Sequence, residues 1–433
     1  MLLYAGLDVH KRVVEACVLD HAGTPVHRER FDLTPANLVA FATTRLGLQA
    51  QVVVEATTNT WAVVRVLKPH VAQVIVSNPL QTKAIAQAKV KTDKVDALVL
   101  AQLLRCDFLP RVWEPDDATQ HLRTLSSRRA SLVADRTGVK NRLHSVLAQR
   151  LICPPHGDLF SKRGLVWLAG VPLNDEGRLL ADSDLRLLRD VEREIAALDQ
   201  ILAVQAYANA QVRLLMTLPG VDVTVAQTVL AALGDTSRFR DGAHAAAYLG
   251  LVPSTKQSAE HCYHGPITKA GNGHARWVLI QAAQHVRLHP GPLGVFFRRL
   301  AKKKNHNVAV VATARKLVVI AWHMLKENSP YRYAQPASTQ VKLARLRIRV
   351  TGRKRKSGPR QDAPVPSMAQ GGTRLVKPLH QVYQEEELPC LTPPSPGEAR
   401  AVTLSGTDDF VASLRQARRV IRPKKVIAEG PPH

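Results

Sequence analysis

The sequence predicts an α/β domain followed by a mainly α-helical remainder, and three observations predict it. β-rich runs alternate with short helical patterns from Leu2 to Asn78, two long amphipathic patterns fill the middle of the chain, and apolar segments at helical spacing continue to Tyr333. With 433 residues, 45% of them hydrophobic, the chain has apolar material for roughly two or three cores, so several domains are expected.

From Leu2 to Asp20 the chain reads as two β-rich runs, LLYAGLDV and VVEACVLD, with His10-Lys11-Arg12 as the turn of a hairpin. A third run, Val26 to Phe31, follows Ala22-Gly23-Thr24-Pro25. Pro35 to Leu46 then has the helical spacing of Leu38, Phe41, Ala42 and Leu46. QVVVEAT reads as a buried strand, Asn59 to Leu67 as a helix and VAQVIVSN as another strand. Three antiparallel strands followed by alternating helices and strands is the element order of a ribonuclease H-like α/β domain, placed here at residues 1–110.

From Glu114 to Arg150 the pattern becomes a long polar helix carrying Leu122, Leu125, Leu132, Val139, Leu143, Val146 and Leu147. A second runs from about Ser183 to Leu215, with Leu187, Val191, Ile195, Leu198, Leu202 and Val212. Joined by the Pro/Gly-containing segment Cys153 to Pro172, the two suggest a helical linker over residues 111–215. It is either an antiparallel coiled coil that also serves as a dimerising arm, or ordinary bundle helices. A compact, mainly helical domain is expected at 216–335. After Pro336 the composition shifts: from Lys342 to His433 there are 18 Lys and Arg against 8 Asp and Glu, with many Pro and Gly. Residues 336–433 therefore read as a basic, mostly disordered tail, either touching nucleic acid or simply solvated.

The charge balance narrows the function. Lys and Arg number 60 against 35 Asp and Glu, a formal net charge of +25 that suits a polyanionic partner, nucleic acid first. Charge alone leaves a non-catalytic nucleic-acid scaffold open. Cys17, Cys106, Cys153, Cys262 and Cys390 are scattered without a CxxC pair, which fits a reducing cytoplasm better than a zinc ribbon or disulfide framework. The apolar start MLLYAGL is short and runs into charged residues, and no unbroken stretch of 18 apolar residues occurs, so no membrane span is expected.

Four carboxylates stand out. Asp8 ends the first strand and Glu55 ends QVVVEAT, so both would project from the C-terminal edge of a sheet, where α/β folds place their sites. Asp93 and Asp96, in KVKTDKVDALVLAQLL, lie three apart at the start of a helix and share a face. Singly, each has an ordinary role at a turn, a cap or a surface ion pair. Together they would repel one another unless cations compensate. Two divalent ions about 3.5–4 Å apart would do so while supporting phosphoryl transfer, and oxygen-only ligands favour magnesium or manganese over zinc.

In the second half, LMTLPGVDVTVAQTVLAAL places Pro219-Gly220 in a turn before a helix. The turn is either a plain interhelical connection or a cradle whose amides at Gly220 hold a DNA phosphate. From Ser254 to Arg276, polar and basic groups crowd into what reads as a loop between apolar helices. Lys269, Asn272 and Arg276 are its candidate nucleic-acid ligands, with Gly265, Gly271 and Gly273 allowing close backbone approach. RRLAKKKN, further on, suits backbone contact or is an exposed helix end.

The pieces GLDVHK, VVVEAT, KTDKVDA, LPGVDVTVAQTVLAALGD, YLGLVPSTKQS and GPITKAGNGHAR, in this order, resemble the DEDD transposases of the insertion sequence 110 family over roughly Tyr4 to Lys326. The resemblance implies a RuvC-like (ribonuclease H-like) domain with Asp8, Glu55, Asp93 and Asp96 as ligands of two magnesium ions. It also implies a coiled-coil linker and a C-terminal transposase domain that contributes a serine nucleophile. By its offset from GPITK that serine is Ser258, with Ser254 its nearest rival; where the family usually has Ser-Gly this chain has Ser258-Ala259. What is further implied is recombination of element ends with target DNA, guided by a structured RNA of the element (a bridge RNA). A homodimer or homotetramer would act in the cytoplasm, on the nucleoid when active. The alternatives are a RuvC-like nuclease or junction resolvase that uses water, for which Ser258 is dispensable, and a sugar-kinase or actin-like ATPase, whose further Gly-rich phosphate loops are missing here.

Overall fold

The computed structural model describes residues 2–85, 92–155, 157–258, 261–352 and 373–421. The chain divides into two compact units, Met1–Pro115 and Asp116–His433. The first opens with β1 (Tyr4–Val9), β2 (Val13–Leu19) and β3 (Pro25–Asp32), then α1 (Pro35–Phe41), which runs on into a π-helical turn, Ala42–Leu46. β4 (Gln51–Glu55), α2 (Thr60–Leu67), β5 (Gln73–Ser77), α3 (Pro79–Ile85) and α4 (Asp93–Arg105) follow. The sheet order is β3-β2-β1-β4-β5. β2 is antiparallel to both β1 and β3, β4 runs parallel to β1, and β5 parallel to β4.

Side-chain alternation assigns the two faces of this sheet. Ala5, Leu7, Val9, Val14, Ala16, Val18, Val52 and Val54 form one core with Leu38, Phe41, Val63, Val64 and Leu67 of α1 and α2. The opposite face, with Cys17, Leu19, Val53 and Ile75, is covered by Ala97, Leu100, Ala101 and Leu104 of α4. Odd positions of β1 therefore serve the core, while Gly6 and Asp8 lie on the α4 side. In β4 the same alternation puts Glu55 on the face of Val53.

The second unit begins with α5 (Asp117–Ala148), α6 (Lys162–Gly170), α7 (Asp175–Ala208) and α8 (Ala210–Leu215). Arg129 of α5 pairs with Asp199 of α7 at 2.5 Å and Arg142 with Asp184 at 2.7 Å, so the two long helices run in opposite directions. Leu132, Val191 and Ile195 pack between them, as do Val139, Leu143, Leu147 and Leu188 further along. Two details differ from the sequence reading. The Pro/Gly-containing connection holds a helix of its own, α6, capped by Ser161, and the second long helix starts at Asp175 because Asn174 caps it, then breaks at Asn209, whose side chain caps α8.

α9 (Val223–Leu233), a 3-10 turn (Thr236–Arg238), α10 (Gly242–Tyr248), the hairpin β6 (Pro253–Ser258) and β7 (His261–Ile267), α11 (Gly273–Val286), α12 (Pro292–Lys303) and α13 (His306–Glu327) come next. α13 is long and apolar enough to cross a membrane, but Ala314, Leu317, Val318, Ala321 and Trp322 bury it in the core of this unit. The polar stretch from Ser254 is thus not the loop expected; its first half is a two-stranded hairpin.

The segment after Pro336 also differs from the expected disordered tail. It carries α14 (Pro336–Thr351), β8 (Thr373–Val376), α15 (Leu379–Glu385), α16 (Pro396–Ser405), α17 (Asp408–Ser413) and β9 (Arg418–Ile421), with β8 and β9 paired antiparallel. Leu343, Leu346, Leu379, Val382, Tyr383 and Leu414 belong to the same core as α9, α11 and α13. Tyr383 Oη donates to the Tyr331 carbonyl at 2.6 Å, and Arg347 pairs with Glu386. The basic run at 353–360 lies outside the described residues, as do 422–433.

Candidate functional site

The register of β1 on β4 pairs Leu7 with Val54, so Asp8 and Glu55 stand side by side at the carboxyl ends of adjacent parallel strands, on the face that α4 covers. α4 begins directly over them. Thr92 caps it by accepting from the Val95 amide, and Asp93 and Asp96 fall in its first turn. Two strand ends and one helix start thereby bring Asp8 close to Asp93, with Glu55 beside Asp8 in the strand register and Asp96 in the same first turn as Asp93.

Asp8 is the most enclosed member of its trio, with 16% of its side chain exposed against 47% for Asp93. Burial pushes its carboxyl above the usual range, and the charges of Asp93 and Asp96 push the same way, while His10 opposes them. His10 Nε2 lies 3.2 Å from Asp8 Oδ2 and 3.3 Å from Asp93 Oδ2. The donor atoms of Asp8, His10 and Asp93 all lie within 4.8 Å of one another, a grouping able to hold a metal ion. A half-buried carboxylate crowded by its own kind is stabilised by an added cation, so the residues present fit a divalent ion. His10 was read from sequence only as part of the hairpin turn; its position two residues after Asp8, on the same face of an extended chain, was the available signal. Glu15, buried, pairs with Asp8 across the antiparallel ladder and was likewise missed.

Gly6 sets the distance between helix and sheet. A Cβ there would stand 2.1 Å from the Ala97 carbonyl oxygen and 2.6 Å from the Ala101 amide nitrogen, both backbone atoms of α4. Gly6→Val is therefore expected to destabilise the unit by about 1–3 kcal/mol. It should also move Asp93 and Asp96 away from Asp8. Thermal unfolding reads the first effect and calorimetric titration with magnesium the second; unchanged values for both would mean that the approach of α4 does not set the site.

In the second unit, Ser258 is the last residue of β6, exposed at the end of the hairpin and paired in register with His261; Ala259 lies outside the described residues. Ser254 sits near the other end of the same strand, its Oγ 2.6 Å from where a Cβ on Gly265 would be. Lys269 is exposed with a left-handed φ of 55°. Asn272 caps α11 by accepting from the Ala275 amide, and Arg276 Nη1 donates to the Leu249 and Ala270 carbonyls, tying this loop to the turn after α10. Gly271 serves the same packing, since a Cβ on it would meet the Tyr248 carbonyl oxygen at 2.1 Å.

Gly220 has a φ of 75°, and a Cβ there would stand 2.2 Å from the Ala282 carbonyl oxygen. The turn is held from inside by Lys342 Nζ, which donates to the Leu218 and Val221 carbonyls, and the first amides of α9 are capped by the carboxylate of Asp222. An anionic cap leaves this helix start poorly suited to phosphate. Arg298, Arg299, Lys302 and Lys303 of the basic run occupy the last turns of α12. A recess of about 970 Å³, bordered by Phe296, Lys316, Tyr333 and Leu404, takes in Arg299 of that run but none of the other residues predicted from sequence.

Comparison with known proteins supplies the family. Residues 5–152 match the model of the DEDD transposases of the IS110 group, and residues 212–294 match that of the IS116/IS110/IS902 transposase family, together more than half of the chain. The y4qE protein of Sinorhizobium fredii is 29% identical over 54% of this chain, which spans about half of that relative's length (55%). The transposase of insertion sequence IS1111A from Coxiella burnetii is 25% identical over 76% of this chain and 90% of its own. The pilin gene-inverting protein of Moraxella bovis is 24% identical over 76% and 97%. The chain belongs to the IS110 family of DEDD transposases, enzymes that cut and rejoin DNA.

Proposed function

We propose that this protein moves an insertion sequence, with Asp8, Glu55, Asp93 and Asp96 holding two magnesium ions, for which manganese substitutes, and with Ser258 as the nucleophile. The observation that carries this reading is the convergence of Asp8 and Asp93 to within reach of one ion, with Asp8 pushed up by burial and by its acidic neighbours. The sheet order, with its antiparallel β1 to β3 and parallel β4 and β5, supports a RuvC-like, ribonuclease H-like domain. Bound divalent ions would supply Lewis-acid stabilisation of the charge that develops on phosphate oxygens.

The chain's own residues do the rest. Asp8 and Glu55, fixed on neighbouring strands, and Asp93 and Asp96, fixed on α4, present oxygens from two directions without having to be reorganised. The Ser258 hydroxyl forms a bond to the DNA phosphorus as the phosphodiester bond to one strand end breaks. The departing strand oxygen takes a proton, and attack by a new strand hydroxyl later returns the serine. A serine at its ordinary pKa needs a proton acceptor. His261, opposite Ser258 in the hairpin register, is a side chain of that type.

On this reading the DNA of element ends and target is the substrate and the cytoplasm its place. A structured RNA of the element, which follows from the family resemblance, is the guide, and the net charge of +25 suits both polyanions. A homodimer or homotetramer is the working form. Leu179, Leu180, Leu187, Ile201 and Val204 of α7, all exposed, offer apolar surface for a second copy. Sedimentation with RNA and DNA present is expected to show at least a dimer, and an active complex of one chain would refute this.

Chelation tests the metal reading. With EDTA, cleavage of an element-end substrate should stop while DNA binding persists, and magnesium or manganese should restore it. Cleavage that survives exhaustive chelation would remove the ions from the chemistry.

A further inference from the structure

Trp277 has 53% of its surface exposed on the first turns of α11, on a domain otherwise rich in buried aromatics. Its indole lies nearly parallel to the His274 imidazole, at 18° with ring centroids 5.9 Å apart, an offset stack on a ring that stays half-exposed. His274 in turn borders a recess of about 200 Å³, shared with Asn272, Tyr248, Ser126, Thr228 and Arg123. That is more room than one trapped water needs. Its lining mixes hydroxyls, an amide and an aromatic ring. Tyr248, 36% exposed, is held by the Arg238 guanidinium 4.2 Å from its ring centre. Asn272 spends its carbonyl oxygen on the cap of α11, and its Nδ2 has no partner among the described residues. Burial and the nearby Arg129 push the His274 imidazole toward its neutral form, which stacks without adding charge.

We propose that Trp277, His274 and the adjoining recess take an unpaired base of single-stranded nucleic acid. The inference rests on the transposase reading and deepens it, because cutting and exchanging strands leaves bases without partners. An exposed Trp–His stack offers a π-face, and every base has one, so such a platform accepts any sequence. The recess beside it offers the Asn272 amide as donor and the hydroxyls of Ser126 and Thr228 as either donor or acceptor, a set that suits a base edge. Phosphates on either side would meet Lys269, on the loop before α11, and Arg276, on its first turn, both close in the chain to Asn272.

The test uses the full chain and synthetic oligonucleotides. One duplex carries a single unpaired 2-aminopurine, a second is fully paired, a third has an abasic residue at the unpaired position, and the first is made in both DNA and RNA. Wild type is expected to bind the unpaired-base duplex at least about 5-fold more tightly than the paired or abasic ones, with quenched 2-aminopurine emission. Trp277→Ala should lose that preference and the quenching, Trp277→Phe should keep most of both, and His274→Ala should weaken them. The better of the DNA and RNA arms names the strand that is held. Equal affinity of wild type for base-bearing and abasic duplexes would overturn the proposal while leaving the transposase reading intact; failure to bind any duplex would count against that reading instead. If Trp277→Ala alters sedimentation without altering oligonucleotide binding, the indole belongs to a protein interface and the proposal falls.

Discussion

Replacing Asp8 or Asp96 with Asn is expected to lower strand cleavage by about a thousand-fold or more, since several kcal/mol of charge stabilisation are lost and each 1.36 kcal/mol is a factor of ten. Affinity for DNA should stay nearly constant, because basic side chains elsewhere supply it. The isosteric amide keeps the shape of the site. Burial and the charges of Asp93 and Asp96 disfavour the ionised form of Asp8, so Asp8→Asn should not lower the unfolding temperature when divalent ions are absent. Loss of cleavage with stability retained separates a role in chemistry from one in folding. Wild-type cleavage by either variant would take the carboxylate out of the reaction.

Ser258→Ala is expected to abolish the covalent protein–DNA adduct that a suicide substrate traps, whereas Ser254→Ala should leave it. The two serines share β6, so the comparison holds the local environment nearly fixed. Ser258 stands exposed as the last residue of β6, while Ser254, near the strand's other end, lies against Gly265 of the partner strand. Rejoining needs the energy of the broken phosphodiester to be kept, and a phosphoserine keeps it where hydrolysis does not. An adduct that survives Ser258→Ala, or that wild type never forms, would leave a RuvC-like nuclease using water as the better account.

The sheet of the first unit was legible because its strands obey simple periods. Apolar residues at every second position of β1 and β2 specify one buried face, and the same period of two puts Asp8 on the other face with Gly6. The spacing of Asp93 and Asp96 at a helix start was equally readable. Glu15 was not, because its nearness to Asp8 depends on cross-strand register, and His10, though two residues from Asp8, gains its second carboxylate partner only from where α4 places Asp93. The β6–β7 hairpin was hidden for a different reason. Most of its residues are exposed, so no apolar alternation marks it, and Ser, Thr, Lys and Gln read as loop. Past Pro336, charge and proline dominated the composition and masked short apolar clusters such as Leu379, Val382 and Tyr383, whose partners lie far back in the chain.

Those late partners change how a gene for this protein would decay. A frameshift or stop codon just after Pro336 spares every residue of the carboxylate cluster and the serine hairpin. It would nonetheless strip Leu379, Val382, Tyr383 and Leu414 from the core and leave Tyr331, 6% exposed in the intact chain, with an uncovered ring and an unsatisfied carbonyl. Removing several large buried side chains at about 2–5 kcal/mol each exceeds the stability of most domains. Erosion from the 3′ end of the element would thus silence it by handing the product to proteolysis, long before any catalytic codon was touched.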